Sequence, residues 1–169
     1  MSAHLRLSPY DIFIDPLLTL QDGRLRELLA YWNTKRAGRP MPARADVSPA
    51  DIVSHLPSVF LIGASAPAVA PSHFHVRLMG TALNELFADD FTGRTLDERM
   101  SPKSASALAK VLGIVCELRR PLRIHGVANF GQERMPTEIE ALILPLTVAG
   151  PGVEMTMGEI VKRASADAA

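Results

Sequence analysis

The sequence predicts an α+β fold in which helices cover one face of an antiparallel sheet, and three observations carry that prediction. Two apolar runs, residues 59–62 and 74–78, flank an Ala/Pro-rich loop and read as a hairpin. Three more strand-like runs, 122–130, 137–148 and 153–162, are parted by the turn-rich stretches 131–136 and 149–152 and suit an antiparallel meander. Between the two groups, residues 101–119 carry apolar side chains at helical spacing.

Taken in order, Leu25, Leu28, Leu29 and Trp32 recur at i, i+3, i+4 and i+7 and define an amphipathic helix over 24–37, with Gly38 as its stop. Ser48, Pro49 and Asp51 supply an N-cap, a first-turn proline and an early acid ahead of Ile52, Val53 and Leu56, so a short helix is expected there, ended by Pro57. In the second strand Phe74, Val76 and Leu78 alternate with His73, His75 and Arg77. Thr81 is expected to cap a turn carrying Leu83, Leu86 and Phe87, and Thr95 with Glu98 makes a capping box before Met100. The longest helix starts at Ser101 and Pro102, places Leu108, Val111, Leu112 and Val115 on one face, and stops at Pro121. Pro145 sits inside the penultimate strand although proline cannot donate a ladder hydrogen bond, so a bulge or the end of pairing on one side is expected. The chain then divides into an N-terminal extension over 1–57, a five-stranded domain over 58–163 and a tail over 164–169.

Composition narrows the function classes. Hydrophobic residues make up 47% of the 169, enough for one domain with a sizeable core. Eighteen Lys and Arg balance eighteen Asp and Glu, so no net field draws the chain to nucleic acid. No run approaches the roughly 20 apolar residues that a membrane span needs, and none is expected to insert. Pro9, Asp11, Asp15 and Pro16 interrupt the first twenty residues, which therefore do not read as an export signal. With the lone Cys116, this leads to the expectation of a cytoplasmic protein.

The residues offer little catalytic chemistry. His73 and His75 share a strand face but lack further ligands at metal-site spacing, so a polar strand face is expected and no metal. His55 stands at a helix end, and His125 lies on a strand that lines either a pocket or its outer surface. Cys116 is mid-helix among apolar neighbours and reads as core. Gly150, Pro151 and Gly152 form a turn with no phosphate-loop Lys after it. Arg119, Arg120 and Arg123 around Pro121 read as a solvated helix end. The charges that stand out are Arg77 and Glu140, each on an otherwise apolar strand. Isolated and buried there they would be costly, so they either hold a polar ligand, act as a pair, or are two solvated side chains, with the pair as the prediction.

Trp32, Arg36, Gly38, Arg39, Pro42, Arg44, Asp46, Pro49, Asp51, Ile52, Leu56 and Pro57, then Arg77, Leu78, Gly80, Thr81, Thr92 and Gly93, and finally Glu140, Leu142, Leu144, Pro145 and Leu146 follow an order and spacing with a precedent. The chain resembles the PAS fold over residues 24–162, and is similar to the family of small single-PAS-domain proteins of alphaproteobacteria. The resemblance implies a five-stranded antiparallel sheet and a sensory or regulatory role. Haem-binding PAS sensors of one type use a histidine on the long helix, and residues 101–120 hold none; flavin photosensors use an Asn-Cys-Arg motif that Cys116 does not match. No cofactor is therefore implied. Arg77, Glu140 and His125 become the candidate pocket residues for a small-molecule ligand. The leading expectation is a non-enzymatic sensor or adaptor that works through contacts with other signalling proteins. A ligand-free adaptor, and an enzyme with Glu140 as general base, are the alternatives. A helix ahead of the first strand is surplus to the basic fold, so Leu25, Leu28, Leu29 and Trp32 are expected either to fold back on the sheet or to form a homodimer interface, with the homodimer as the prediction.

Overall fold

Asp22 opens the first helix, its carboxylate accepting the Arg24 N–H at 2.8 Å. The computed structural model describes residues 5–7, 11–130 and 135–164. In it the strands are β1 (Leu5–Leu7), β2 (Asp11–Asp15), β3 (Val59–Ala64), β4 (Phe74–Met79), β5 (Leu122–Ala128), β6 (Thr137–Leu146) and β7 (Met155–Lys162). The helices are α1 (Gly23–Arg36), α2 (Thr81–Phe87), α3 (Leu96–Arg99) and α4 (Pro102–Leu118). Ala37 closes α1 and Arg119 closes α4, both in the left-handed region. The tail from residue 165 and residues 131–134 of the expected turn lie outside the described residues.

All seven strands join one antiparallel sheet in the order β1-β2-β5-β6-β7-β3-β4. The hairpin and the meander form as expected, and two N-terminal strands extend the five along the free edge of β5. These two are short and hemmed by Pro9 and Pro16, so periodicity gives them no signal. Pro145 is accommodated by the end of pairing on one side: β5 last pairs at Ile143, while Pro145 stays opposite Thr156 of β7. The segment after Ser48 winds into single 3-10 turns, Pro49–Ile52 and Leu56–Ser58, instead of an α-helix. Gly80, not Thr81, takes the N-cap position of α2.

Helices α2, α3 and α4 cover one face of the sheet as expected, and the N-terminal helix α1 covers the other. On the inner face, Phe60, Ile62, Phe74, Val76, Ile124 and Ile143 pack with Leu83, Leu96, Leu112 and Val115 from α2, α3 and α4. On the outer face, Leu142, Leu144, Leu146, Met157 and Val161 receive Leu25, Leu28 and Trp32 from α1. The Trp32 indole N–H also donates to the Pro145 carbonyl at 2.9 Å, where the β5 ladder has stopped. Leu25, Leu28 and Trp32 are thus buried in the chain's own core, with Leu29 half-buried beside them. This corrects the expected dimer interface: burying these side chains on their own sheet already captures about 1.5–3 kcal/mol each, the term that was to drive association.

Candidate functional site

Strand alternation sends neighbouring residues of β6 to opposite faces. Ile139, Ala141 and Ile143 point inward, whereas Glu140, Leu142 and Leu144 point to α1. Two distinct environments therefore lie on the two sides of the same strands.

The inner one is a cavity of about 520 Å³ between the sheet and α2, α3 and α4. Its walls are apolar: Ile12 of β2, Phe60 of β3, Ile124 of β5, Ile139 of β6, Ile160 of β7 and Val111 of α4. Phe87 packs edge-on against Phe91 and Phe130 at centroid distances of 5.4 and 4.9 Å, forming an aromatic wall. The polar lining groups are Arg99, Ser101, Ser104 and Asn129. Arg99, Ser101 and Asn129 are exposed while Phe60, Val111, Ile124 and Ile143 are buried, which puts polarity at the mouth and hydrocarbon in the depth. Arg99 donates from Nε and Nη2 to the Asp89 carboxylate at 3.1 and 2.8 Å. Among the described residues, neither a carboxylate nor a histidine lines this cavity.

The outer environment is a buried polar network beneath the start of α1. Glu140, with no solvent exposure, accepts from Arg123 Nη2 at 2.7 Å and Nε at 3.0 Å, from the Asp22 N–H at 2.8 Å, and from the Gln21 N–H at 3.1 Å. Arg123 also reaches Asp15 at 3.2 Å, its direct partner across β2 and β5, and Arg163 stands 3.5 Å from Glu140. Burial pushes both carboxyls up. For Glu140 the Asp22, Arg123 and Gln21 donors outweigh burial and hold its pKa below the ordinary value; for Asp15 the Thr19 and Leu17 N–H groups and Arg123 do the same. A third buried carboxylate, Glu159 on β7, accepts from Arg24 at 3.0 and 3.2 Å and lies 2.7 Å from His55 Nδ1. Arg24 also donates to the Ser54 carbonyl at 2.6 Å. Glu140 and Glu159 thereby fasten the head of α1 to adjacent strands.

Against this geometry the expected pocket residues are corrected. Arg77 and Glu140 do not meet: β4 stands three strands from β6, about 14 Å at ordinary strand spacing. Arg77 is exposed on the outer side beside Gly63, and Glu140 is buried with Arg123. His125 also faces outward, stacked on Phe13 at 5.6 Å and next in register to Glu140. None of the three lines the cavity. Arg123, expected in a solvated cluster, is 5% exposed, and His55, expected to serve a helix end, is buried against Glu159. His73 ends a 3-10 turn and accepts the Ala70 N–H at 3.0 Å. Cys116 is partly buried outside the cavity, and burial pushes its thiol up to about 11. The apolar lining residues carry no signal of a pocket in the sequence, because apolar walls look like any core, and the sequence does not single out Arg99 or Asn129 as pocket residues.

Among solved structures the chain is similar to a fungal LOV-domain photoreceptor, at 14% identity and a TM-score of 0.45, covering 71% of this chain and 94% of that one. It is similar to the PAS domain of Bordetella pertussis BvgS, at 10% identity and a TM-score of 0.44, covering 83% and 89%. It is also similar to an RNA-binding light-oxygen-voltage receptor, at 12% identity and a TM-score of 0.49, covering 90% of this chain and 39% of that one. No curated protein matches the chain. No helix among the described residues is long and apolar enough to cross a membrane. Residues 21–161, from the seat of α1 into β7, match the PAS domain, and the chain belongs to that family.

Proposed function

We propose that this PAS domain is a regulatory sensor, non-enzymatic and without a bound chromophore, in which a small apolar molecule occupies the inner cavity and the outer surface reports its presence to a partner chain. The observation that carries the reading is the cavity itself, about 520 Å³ with apolar walls and a polar mouth. That size and lining match ordinary small-molecule pockets, which run to about 300–1,000 Å³. It favours a sensor over a ligand-free adaptor, whose core would be filled. Catalysis by Glu140 as a general base loses its support, because that carboxylate is turned to the other face and paired with Arg123. Output passes through protein contacts, with a second copy of the chain or with another signalling protein.

The route from cavity to surface follows strand alternation. Ile139 and Ala141 line the cavity, and Glu140 between them holds the head of α1. A ligand that binds one strand arrangement better shifts the population toward it, and α1 is the element that senses the difference. Native mass spectrometry of the purified protein, followed by thermal unfolding with a panel of apolar small molecules, tests the proposal. A retained molecule, or stabilisation of about 2.7 kcal/mol at a hundred times Kd, is expected. Ala141→Phe, which fills the cavity, should abolish the response. A protein that carries nothing, gains no stability from any compound and behaves identically with the cavity filled refutes the sensor reading.

A further inference from the structure

Resting on the sensor reading above, we infer that the cavity's ligand is a monocarboxylate with an apolar hydrocarbon body, its carboxylate at the mouth against Arg99 and its body against the isoleucine-rich wall. Among the described residues Arg99 is the only charged one lining the cavity, and no acidic side chain among them lines it. An occupant with a cationic head would therefore meet a like charge and no counter-charge among the described lining residues, whereas an anionic head meets a guanidinium and the Asn129 amide. Arg99 is already oriented: Nε and Nη2 are committed to Asp89, which leaves the Nη1 edge outside that pair. The Ser101 hydroxyl donates to the Ser104 hydroxyl oxygen at 3.0 Å in the same stretch of the lining, which makes the mouth polar, and Asn129 adds an amide. The Arg99 guanidinium and the Asn129 amide are donor groups suited to a planar acceptor head. The remaining lining is hydrocarbon and aromatic, so everything behind the head must be apolar. Because Asp89 offsets part of the Arg99 charge and the site is at an exposed mouth, the head confers preference while the body supplies most of the affinity.

Calorimetric titration of the intact protein with octanoate, decanoate and dodecanoate, below their aggregation limits and with decanol as the headless control, tests the assignment. Affinity should rise about fourfold for each added methylene until the cavity is full. Decanoate should bind about tenfold more tightly than decanol. Arg99→Gln should erase that ratio and leave decanol binding unchanged. Asp89→Asn, which removes the competing carboxylate, should widen it, so the two substitutions move the same readout in opposite directions. If decanol binds as tightly as decanoate, or if the ratio survives Arg99→Gln, the carboxylate assignment is overturned while the sensor reading stands. If no member of the series binds and decanol fails as well, the apolar-ligand reading falls with it.

Discussion

Truncating Glu140 to alanine should cost about 3–4 kcal/mol of folding stability. The carboxylate is wholly buried and receives two Arg123 nitrogens at 2.7 and 3.0 Å together with the Asp22 and Gln21 N–H groups. Without it Arg123 stays buried, and removing one member of a buried ion pair costs about 3–5 kcal/mol because the other charge is left uncompensated. Asp15 remains 3.2 Å from Arg123 and retains part of the compensation, which places the expectation in the lower half of that range. Urea unfolding, read at constant m, gives the value directly. A double-mutant cycle with Arg123→Met should show a coupling of about 1–3 kcal/mol. The corresponding cycle between Glu140→Ala and Arg77→Ala should show none, and Arg77→Ala alone should lie within about 0.5 kcal/mol of the parent. A Glu140→Ala cost under about 1 kcal/mol, or a Glu140–Arg123 coupling within error of zero, refutes the network as the anchor of α1.

Acid should destabilise the protein through the same groups. The folded pKa values of Asp15 and Glu140 lie below the ordinary 3.8 and 4.5, so their contribution is complete above those values and is lost as pH falls through the folded ones, where the native state must also take up the protons. Unfolding free energy measured from about pH 7 down to about pH 3 should fall less steeply in Glu140→Gln, and an unchanged slope would count against the assignment. Leu28→Ala should cost about 2–5 kcal/mol, equally at low and high protein concentration, since Leu28 is buried within one chain; a cost that grows with dilution would restore the dimer interface. Cys116 should be alkylated slowly in the native state: a thiol raised from 9.0 to about 11 carries roughly a hundredfold less thiolate at neutral pH, and modification at the rate of the unfolded chain would contradict its placement.

Much of the fold was legible because the relevant signals are local. The i, i+3, i+4, i+7 spacing of Leu25, Leu28, Leu29 and Trp32, the Ser101–Pro102 start of α4 and the turn residues between β5, β6 and β7 each specify an element without tertiary information. The faces were not legible. In β6 both alternating sets, Ile139, Ala141 and Ile143 on one side and Leu142, Leu144 and Leu146 on the other, are apolar, because the strand is covered on both sides. Period-two reasoning then fixes which residues share a face and leaves open which face looks into the cavity. Glu140 was singled out correctly as a charge that needs a partner, but the partner depends on strand order. Arg123 lies on the neighbouring strand and Arg77 three strands away, a fact of sheet topology with no trace in local spacing. Asp15 escaped notice for the same reason, since β2 finds its place only by pairing with β5.

The choice of charges over hydrocarbon beneath α1 has a consequence for signalling. Buried ion pairs often contribute no more net stability than well-packed apolar residues, so the network is not explained by stability alone. Apolar contacts between Leu25, Leu28 and the sheet are non-directional and tolerate small slides of the helix. The Glu140 contacts do not, because hydrogen bonds weaken steeply as donor and acceptor lose alignment. With Glu140 receiving Asp22 and Gln21 while Glu159 receives Arg24, one seat of α1 satisfies both carboxylates, and any other leaves at least one buried charge short of donors. A displacement of β6 or β7 by an occupant of the cavity is therefore felt at the head of α1 out of proportion to its size. On the proposed reading, the apolar face supplies the affinity of the helix for the sheet, and the buried carboxylates make that seating depend on where the cavity-lining strands stand.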